Sequence, residues 1–117
     1  MKTDGVKLGA ILVFLAIALG AFGAHALKNV LSVKYLEIFE TGVRYQMYNG
    51  LGLLAISALG RKLDRAKLLI FIGSLIFSGS LYLLAFTGIG IFGAITPIGG
   101  VVQLTAWALV FFSKKDN

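Results

Sequence analysis

Four long apolar stretches separated by short polar breaks dominate this chain and fix what it can become. A helix needs about 20 mostly apolar residues to cross a bilayer core about 30 Å thick. The run over 6–27 meets that requirement, with Lys7 at its edge, where a long stem reaches back to the headgroups. The run over 66–87 is also long enough, and its interior polar groups are all hydroxyls. The fourth, ending at Phe112, stops just before Lys114 and Lys115. The second is less clean: Leu51–Leu59 is apolar but too short, so the helix must reach back through Asn49, Gln46 and Arg44, giving a span of 42–60. The expected fold is all-α, a polytopic transmembrane four-helix bundle forming a single domain over 1–117.

Composition supports lipid as the solvent. The 117 residues are 58% hydrophobic and only 14% charged, against roughly 25% charged in soluble domains. There is no cysteine, which excludes disulfides, thiolate metal sites and cysteine nucleophiles. A single histidine cannot supply a histidine-built metal or haem centre, so no cofactor is expected. The net charge of +6 is divided among short clusters between apolar runs. Such clusters set topology and touch anionic headgroups; no basic face or motif points to nucleic acid.

Two boundaries are ambiguous in the sequence. Thr96-Pro97 reads as an N-cap followed by proline at the first helical position, where its missing N–H costs nothing. The fourth helix is therefore expected over 96–112, with Thr87–Ala94 dipping partly into the membrane or forming a broken turn; a kinked helix through Pro97 is the alternative. The segment 32–41 is amphipathic, with Val33 and Leu36 at helical spacing and Lys34, Glu37 and Thr41 interleaved. It reads as a short helix lying in the outer interface, or else as an unbroken extension of the second span.

With four spans, the N-terminus, the middle loop and the C-terminus share one side. That side holds Lys2, Lys7, Arg61, Lys62, Arg65, Lys67, Lys114 and Lys115; the other holds Lys28, Lys34 and Arg44. The positive-inside rule places the first group in the cytoplasm. The expected location is a plasma membrane of the bacterial inner-membrane type. Residues Ala24-His25-Ala26 after the first apolar run imitate a signal-peptide cleavage site, but the run is long for a signal core, and a retained span is expected.

Helix association in lipid depends on close packing and interhelical hydrogen bonds. Ala16, Gly20 and Ala24 give the first helix a small-residue groove; Ser74 and Ser78, and Gly99 and Gly100, serve the third and fourth. At 1.5 Å per residue, Asn49 lies about 17 Å, Gln46 about 21 Å and Arg44 about 24 Å from the cytoplasmic end of the second helix. Gln103 lies about 14 Å deep on the fourth and Tyr82 about 21 Å deep on the third. His25 closes the first helix near the outer surface. These depths gather His25, Glu40, Arg44, Gln46, Asn49, Tyr82 and Gln103 into a candidate polar cluster in the middle and outer half. Arg44 needs a counter-charge, and Glu40, four residues earlier, shares its helical face. The pair reads either as a structural ion pair or as part of a ligand site. Trp107 with Phe111 and Phe112 fits an inner aromatic belt.

No Asp or Glu lies inside any expected span, where a proton-coupled exporter would need one. No nucleophile is paired with a base and no phosphate-binding loop occurs. An enzyme is not expected.

Several strings taken in order, Gly20–Leu27 (GAFGAHAL), Tyr45-Gln46, Ser78–Tyr82 (SGSLY), Thr96–Gly100 (TPIGG) and Ala106-Trp107, together resemble the small four-span membrane family called domain of unknown function 423. The resemblance covers nearly the whole chain. It implies a multi-pass bacterial inner-membrane protein with a mitochondrial relative in eukaryotes, and no established biochemical activity. It highlights His25, Tyr45, Gln46, Ser78, Tyr82, Thr96 and Pro97. Many relatives carry a histidine where this chain has Asn49, which argues against a two-histidine metal or haem site here.

Two functions from different classes follow. The first is an accessory or structural membrane protein without chemistry of its own, its partners being membrane lipids, other membrane proteins or a second copy of itself. The second is a small binder or permeation pathway for an anionic or neutral solute, in which Arg44 attracts the anion and amides and hydroxyls replace its water shell.

Overall fold

A computed structural model describes residues 2–115 of the chain. Those residues build four helices and no strand: α1 (Gly5–Leu27), α2 (Val33–Ser57), α3 (Asp64–Thr87) and α4 (Gly90–Phe111). The helix ends obey local rules. The Asp4 carboxylate accepts the Lys7 N–H at 3.1 Å and the Ser32 hydroxyl accepts that of Tyr35 at 3.4 Å, each satisfying an orphan donor of a first turn. Gly88, at φ 68°, closes α3 in the left-handed conformation and donates its N–H to the Leu84 carbonyl. Within α1 the Leu19–Gly23 turn is wound as a π-helix between α-helical segments.

Three helices, α1, α3 and α4, are long and apolar enough to cross a membrane. Helix α2 carries Lys34, Glu37, Glu40 and Arg44 in its first half, and it is flanked by α1 on one side and α3 on the other. Its buried residues Phe39, Gly42, Gln46, Asn49, Leu53 and Ile56 recur every three or four positions, the spacing of one helical face. Consecutive helices pack on each other, and α1 also reaches α3; α1 and α4 do not meet among the described residues. The four therefore form an open arc with α2 and α3 at its centre.

An apolar core of Leu12, Leu53, Ile56, Leu63, Ala66, Ile70 and Ala106 fills the end of the arc nearest the chain termini. There the Thr3 N–H donates to Asp64 Oδ1 at 2.7 Å, and Arg61 Nη1 donates to Ser113 Oγ at 3.0 Å. These bonds hold the N-terminal segment, the α2–α3 loop and the segment after α4 at one face. At the other end Phe39 packs its ring on Tyr82 and Phe86, with centroids 5.4 and 5.9 Å apart. Outward-facing positions are strongly apolar; Phe22 is 76% and Leu104 73% exposed. A surface of this kind suits lipid and would associate in water.

The structure corrects two boundaries. Residues 33–41 are not a separate interfacial helix: they open α2, which runs unbroken to Ser57. The physical reason is that their apolar face has a protein partner, since Phe39 is buried and packs on Gly23 as well as Tyr82. Pro97 does not open the fourth helix. It lies inside α4, which begins at Gly90 and so gains the length to cross a membrane. Proline inside a membrane helix is tolerated where packing against neighbouring helices holds the helix in place. Here the adjacent Thr96 hydroxyl bonds to the Phe92 carbonyl at 3.2 Å and to Ser80 Oγ of α3 at 2.6 Å.

Candidate functional site

The buried face of α2 presents two amides one turn apart, and each is spent on two neighbours. Gln46 Nε2 donates to the Leu12 carbonyl of α1 at 2.9 Å, and its Oε1 accepts the Tyr82 hydroxyl of α3 at 2.6 Å. Asn49 Nδ2 donates to Gln103 Oε1 of α4, while its Oδ1 accepts Trp107 Nε1 at 3.3 Å. Gln103 completes the set by donating to the Gly99 carbonyl at 3.0 Å. Two hydroxyls extend this seam: Ser78 Oγ donates to the Gly42 carbonyl at 2.7 Å, and Ser80 meets Thr96. Every helix of the arc is tied to another by at least one of these bonds. In hydrocarbon an unmatched polar group costs several kcal/mol, so each bond has to form if the seam is to be buried.

Glycines on the facing helices make room for the larger members. A Cβ at Gly42 would lie 2.7 Å from the Tyr82 ring, one at Gly52 would lie 2.6 Å from the Trp107 ring, and one at Gly73 would lie 2.9 Å from Gln103 Cγ. In each case the larger side chain occupies space that a Cβ would need.

Of the seven residues expected to cluster, the structure brings together Gln46, Asn49, Tyr82 and Gln103 and leaves out His25, Glu40 and Arg44. All three of the latter are exposed. Helical phase explains the two on α2. At 3.6 residues per turn, Arg44 stands about 200° from Gln46, and Glu40 follows it onto the outer face at i−4. Depth along the axis carries no information about direction around the helix. Trp107, expected in an aromatic belt, bonds to Asn49 and so is also a seam member; its position four residues after Gln103, on the same face of α4, is the available signal.

Two clefts flank the seam. One, about 340 Å³, opens between α1 and α3 above Gln46. The other, about 320 Å³, opens between α2 and α4 beside Asn49, Gln103 and Trp107. Apart from tyrosine, no ionisable side chain lines either, so neither presents a charged acid, base or anion clamp. Among the described residues no three His, Asp or Glu side chains lie close enough to hold a metal ion.

Comparison with known proteins agrees with this picture. Residues 19–100 match the family described as "Protein of unknown function (DUF423)". The chain is 50% identical to a UPF0382 membrane protein of Staphylococcus saprophyticus, over 90% of this chain and 91% of the relative. It is 48% identical to the UPF0382 membrane protein YwdK of Bacillus subtilis, over 90% of each chain. It is 43% identical to a UPF0382 membrane protein of Haemophilus influenzae, over 100% of this chain and 98% of the relative. No solved structure matches. None of these names carries an enzymatic activity. With the matched region spanning well over half its length, the chain belongs to the DUF423 family of membrane proteins.

Proposed function

We propose that this chain is an accessory or structural protein of the plasma membrane, crossing it four times with both termini in the cytoplasm and performing no chemistry of its own. One observation carries the reading: Gln46, Asn49 and Gln103 are buried, half-buried Tyr82 joins them, and all four are bonded within the protein. A permeation pathway needs polar atoms left free to replace a solute's water shell. These are occupied in joining helices.

The position of α2 between α1 and α3 supports a fourth span, because a helix packed along two membrane-crossing neighbours shares their depth. Its 25 residues reach about 37 Å, some 7 Å beyond the hydrocarbon core. The excess is the charged first turns, which reach the outer headgroups in place of a separate interfacial helix. Lys2, Lys7, Arg61, Lys62, Arg65, Lys67, Lys114 and Lys115 favour the cytoplasm for the other end. Membrane lipids, other membrane proteins or a second copy of the chain are the partners that an exterior of exposed apolar side chains suits.

Reconstitution into liposomes tests this reading. Wild-type vesicles are expected to pass panels of anions and neutral solutes no faster than empty ones. A flux that Arg44→Ala and Asn49→Ala both abolish would replace the accessory role with a permeation pathway.

A further inference from the structure

One buried hydroxyl stands apart among the described residues. Five hydroxyls fold back onto a carbonyl four residues earlier: Thr41, Ser57, Thr87, Thr96 and Thr105 donate to Glu37, Leu53, Leu83, Phe92 and Val101. That is the usual fate of a hydroxyl inside a helix. Ser74 does otherwise. It is 1% exposed, its Oγ has no hydrogen-bond partner among the described residues, and it lines the cleft between α1 and α3. A buried donor left unmade is destabilising, so an unfilled Ser74 is a standing penalty that a suitable occupant removes.

The cleft describes that occupant. Its volume of about 340 Å³ falls in the range of small-molecule sites. Leu12, Leu15 and Leu19 of α1 and Leu75 of α3 make its walls. Leu15 and Leu75 are half-exposed on the outer surface, so the mouth faces the surroundings of the bundle. No charged residue lines it, which excludes an ionic ligand at membrane depth. Ser74 lies ten residues from Asp64 and thirteen from Thr87, about 15 and 20 Å along α3, close to the midplane of a core about 30 Å thick. The headgroup end of a phospholipid is anchored at the edge of that core and cannot meet Ser74 without leaving the interface.

We infer that the α1–α3 cleft is a binding site for an uncharged, mostly hydrocarbon molecule of the bilayer interior that carries a carbonyl oxygen, the carbonyl accepting the Ser74 hydroxyl. The hydrocarbon part lies along Leu15, Leu19 and Leu75. Gly79 at the cleft has no atom within 4 Å of where a Cβ would stand, leaving space beside the bound chain. The inference goes beyond the accessory role and needs only that α1 and α3 cross the membrane.

The test uses the full-length protein in lipid nanodiscs and a photoactivatable alkyl ketone as the probe, with labelled positions read by mass spectrometry. Label is expected on Leu15, Leu19, Leu75 and Gly79. A non-photoreactive methyl ketone is expected to displace it at about a tenfold lower concentration than an alkane of equal length, the ratio of a single hydrogen bond worth about 1.4 kcal/mol. Ser74→Ala is expected to erase that tenfold advantage while leaving the label in place. Gly79→Leu, or Ala18→Phe should the first fail to fold, is expected to fill the cleft and remove the label. Equal competition by ketone and alkane on wild type would overturn the proposal. So would label spread over all exposed apolar positions and indifferent to the filling variants. Because the chain has no native cysteine, disulfide dimers formed by Leu75→Cys in place of labelling would assign the cleft to a second copy, and would overturn it as well.

Discussion

Gly99 of α4 lies directly on the backbone of Phe77 in α3: a Cβ at Gly99 would stand 2.8 Å from the Phe77 Cα and 2.9 Å from its Cβ. The next residue, Gly100, is different, since a Cβ there would come no nearer than 3.9 Å to the Phe77 ring. Two adjacent glycines thus carry opposite expectations. Gly99→Ala forces α3 and α4 apart and is expected to lower stability by about 1–3 kcal/mol, the cost of overpacking. Gly100→Ala is expected to stay within about 0.5 kcal/mol of wild type. Thermal unfolding of both variants in the same detergent checks the pair. Equal loss in the two would mean that the α3–α4 contact is not as close as described.

The Gln46–Tyr82 bond joins α2 to α3 at the centre of the arc, and its strength can be isolated. Tyr82→Phe removes the donor and keeps the ring on Gly42 and Phe39, while Gln46→Leu removes the acceptor at similar volume. A double-mutant cycle in a denaturing-detergent titration is expected to give a coupling of about 0.6 kcal/mol, with an upper value near 1.7 kcal/mol. A coupling indistinguishable from zero would remove Gln46 from the set of bonds holding the helices.

Trp107 is the only tryptophan, so its fluorescence reports on the other half of the seam alone. Asn49→Leu deprives its indole N–H of an acceptor and leaves Gln103 Oε1 without its donor. The expected result is a blue shift of the emission, because an unbonded indole among apolar neighbours relaxes less. A stability loss of about 2 kcal/mol should accompany it, within the cost of orphaned buried groups. Arg44→Ala serves as the control. Its side chain is exposed, and neither emission nor stability should move.

How far these contacts were legible in the sequence depends on what each one needs. The α1 and α3 spans follow from run length alone, and Gln46, Asn49, Tyr82 and Gln103 stand out as polar groups within apolar runs, where hydrocarbon favours those that find a mate. Direction around the helix is a second coordinate, and Arg44 shows the cost of omitting it. At nearly the height of Gln46 it faces outward, two residues being more than half a turn. The break expected at Thr96-Pro97 does not form: α4 runs through Pro97 from Gly90, and the Thr96 hydroxyl beside it bonds both within α4 and to Ser80 of α3. The continuity of α2 depended on Phe39 finding Gly23 and Tyr82, a tertiary contact that no local window contains. The Ser74 orphan belongs to the same class. A lone serine in an apolar run looks like any other until the neighbouring helix is in place.

The number of crossings is the remaining geometric issue, and it can be decided because three spans and four predict opposite ends for the chain. If α2 crosses, the α2–α3 loop and the C-terminus share the cytoplasmic side with the N-terminus, in keeping with the Thr3–Asp64 and Arg61–Ser113 bonds that gather them. If only α1, α3 and α4 cross, the C-terminus lies outside. A fluorescent reporter fused to the C-terminus is expected to glow, and alkaline phosphatase inserted after Leu31 is expected to be active; a dark C-terminal fusion would contradict four spans. The charge bias itself can then be weakened. Replacing Arg61, Lys62, Arg65 and Lys67 with glutamine reduces the cytoplasmic count from eight to 8 − 4 = 4, against three outside. Orientation follows the Lys and Arg difference between short loops, so the near-balanced variant is expected to insert in both directions, with a measurable fraction of its C-termini exposed to externally added protease.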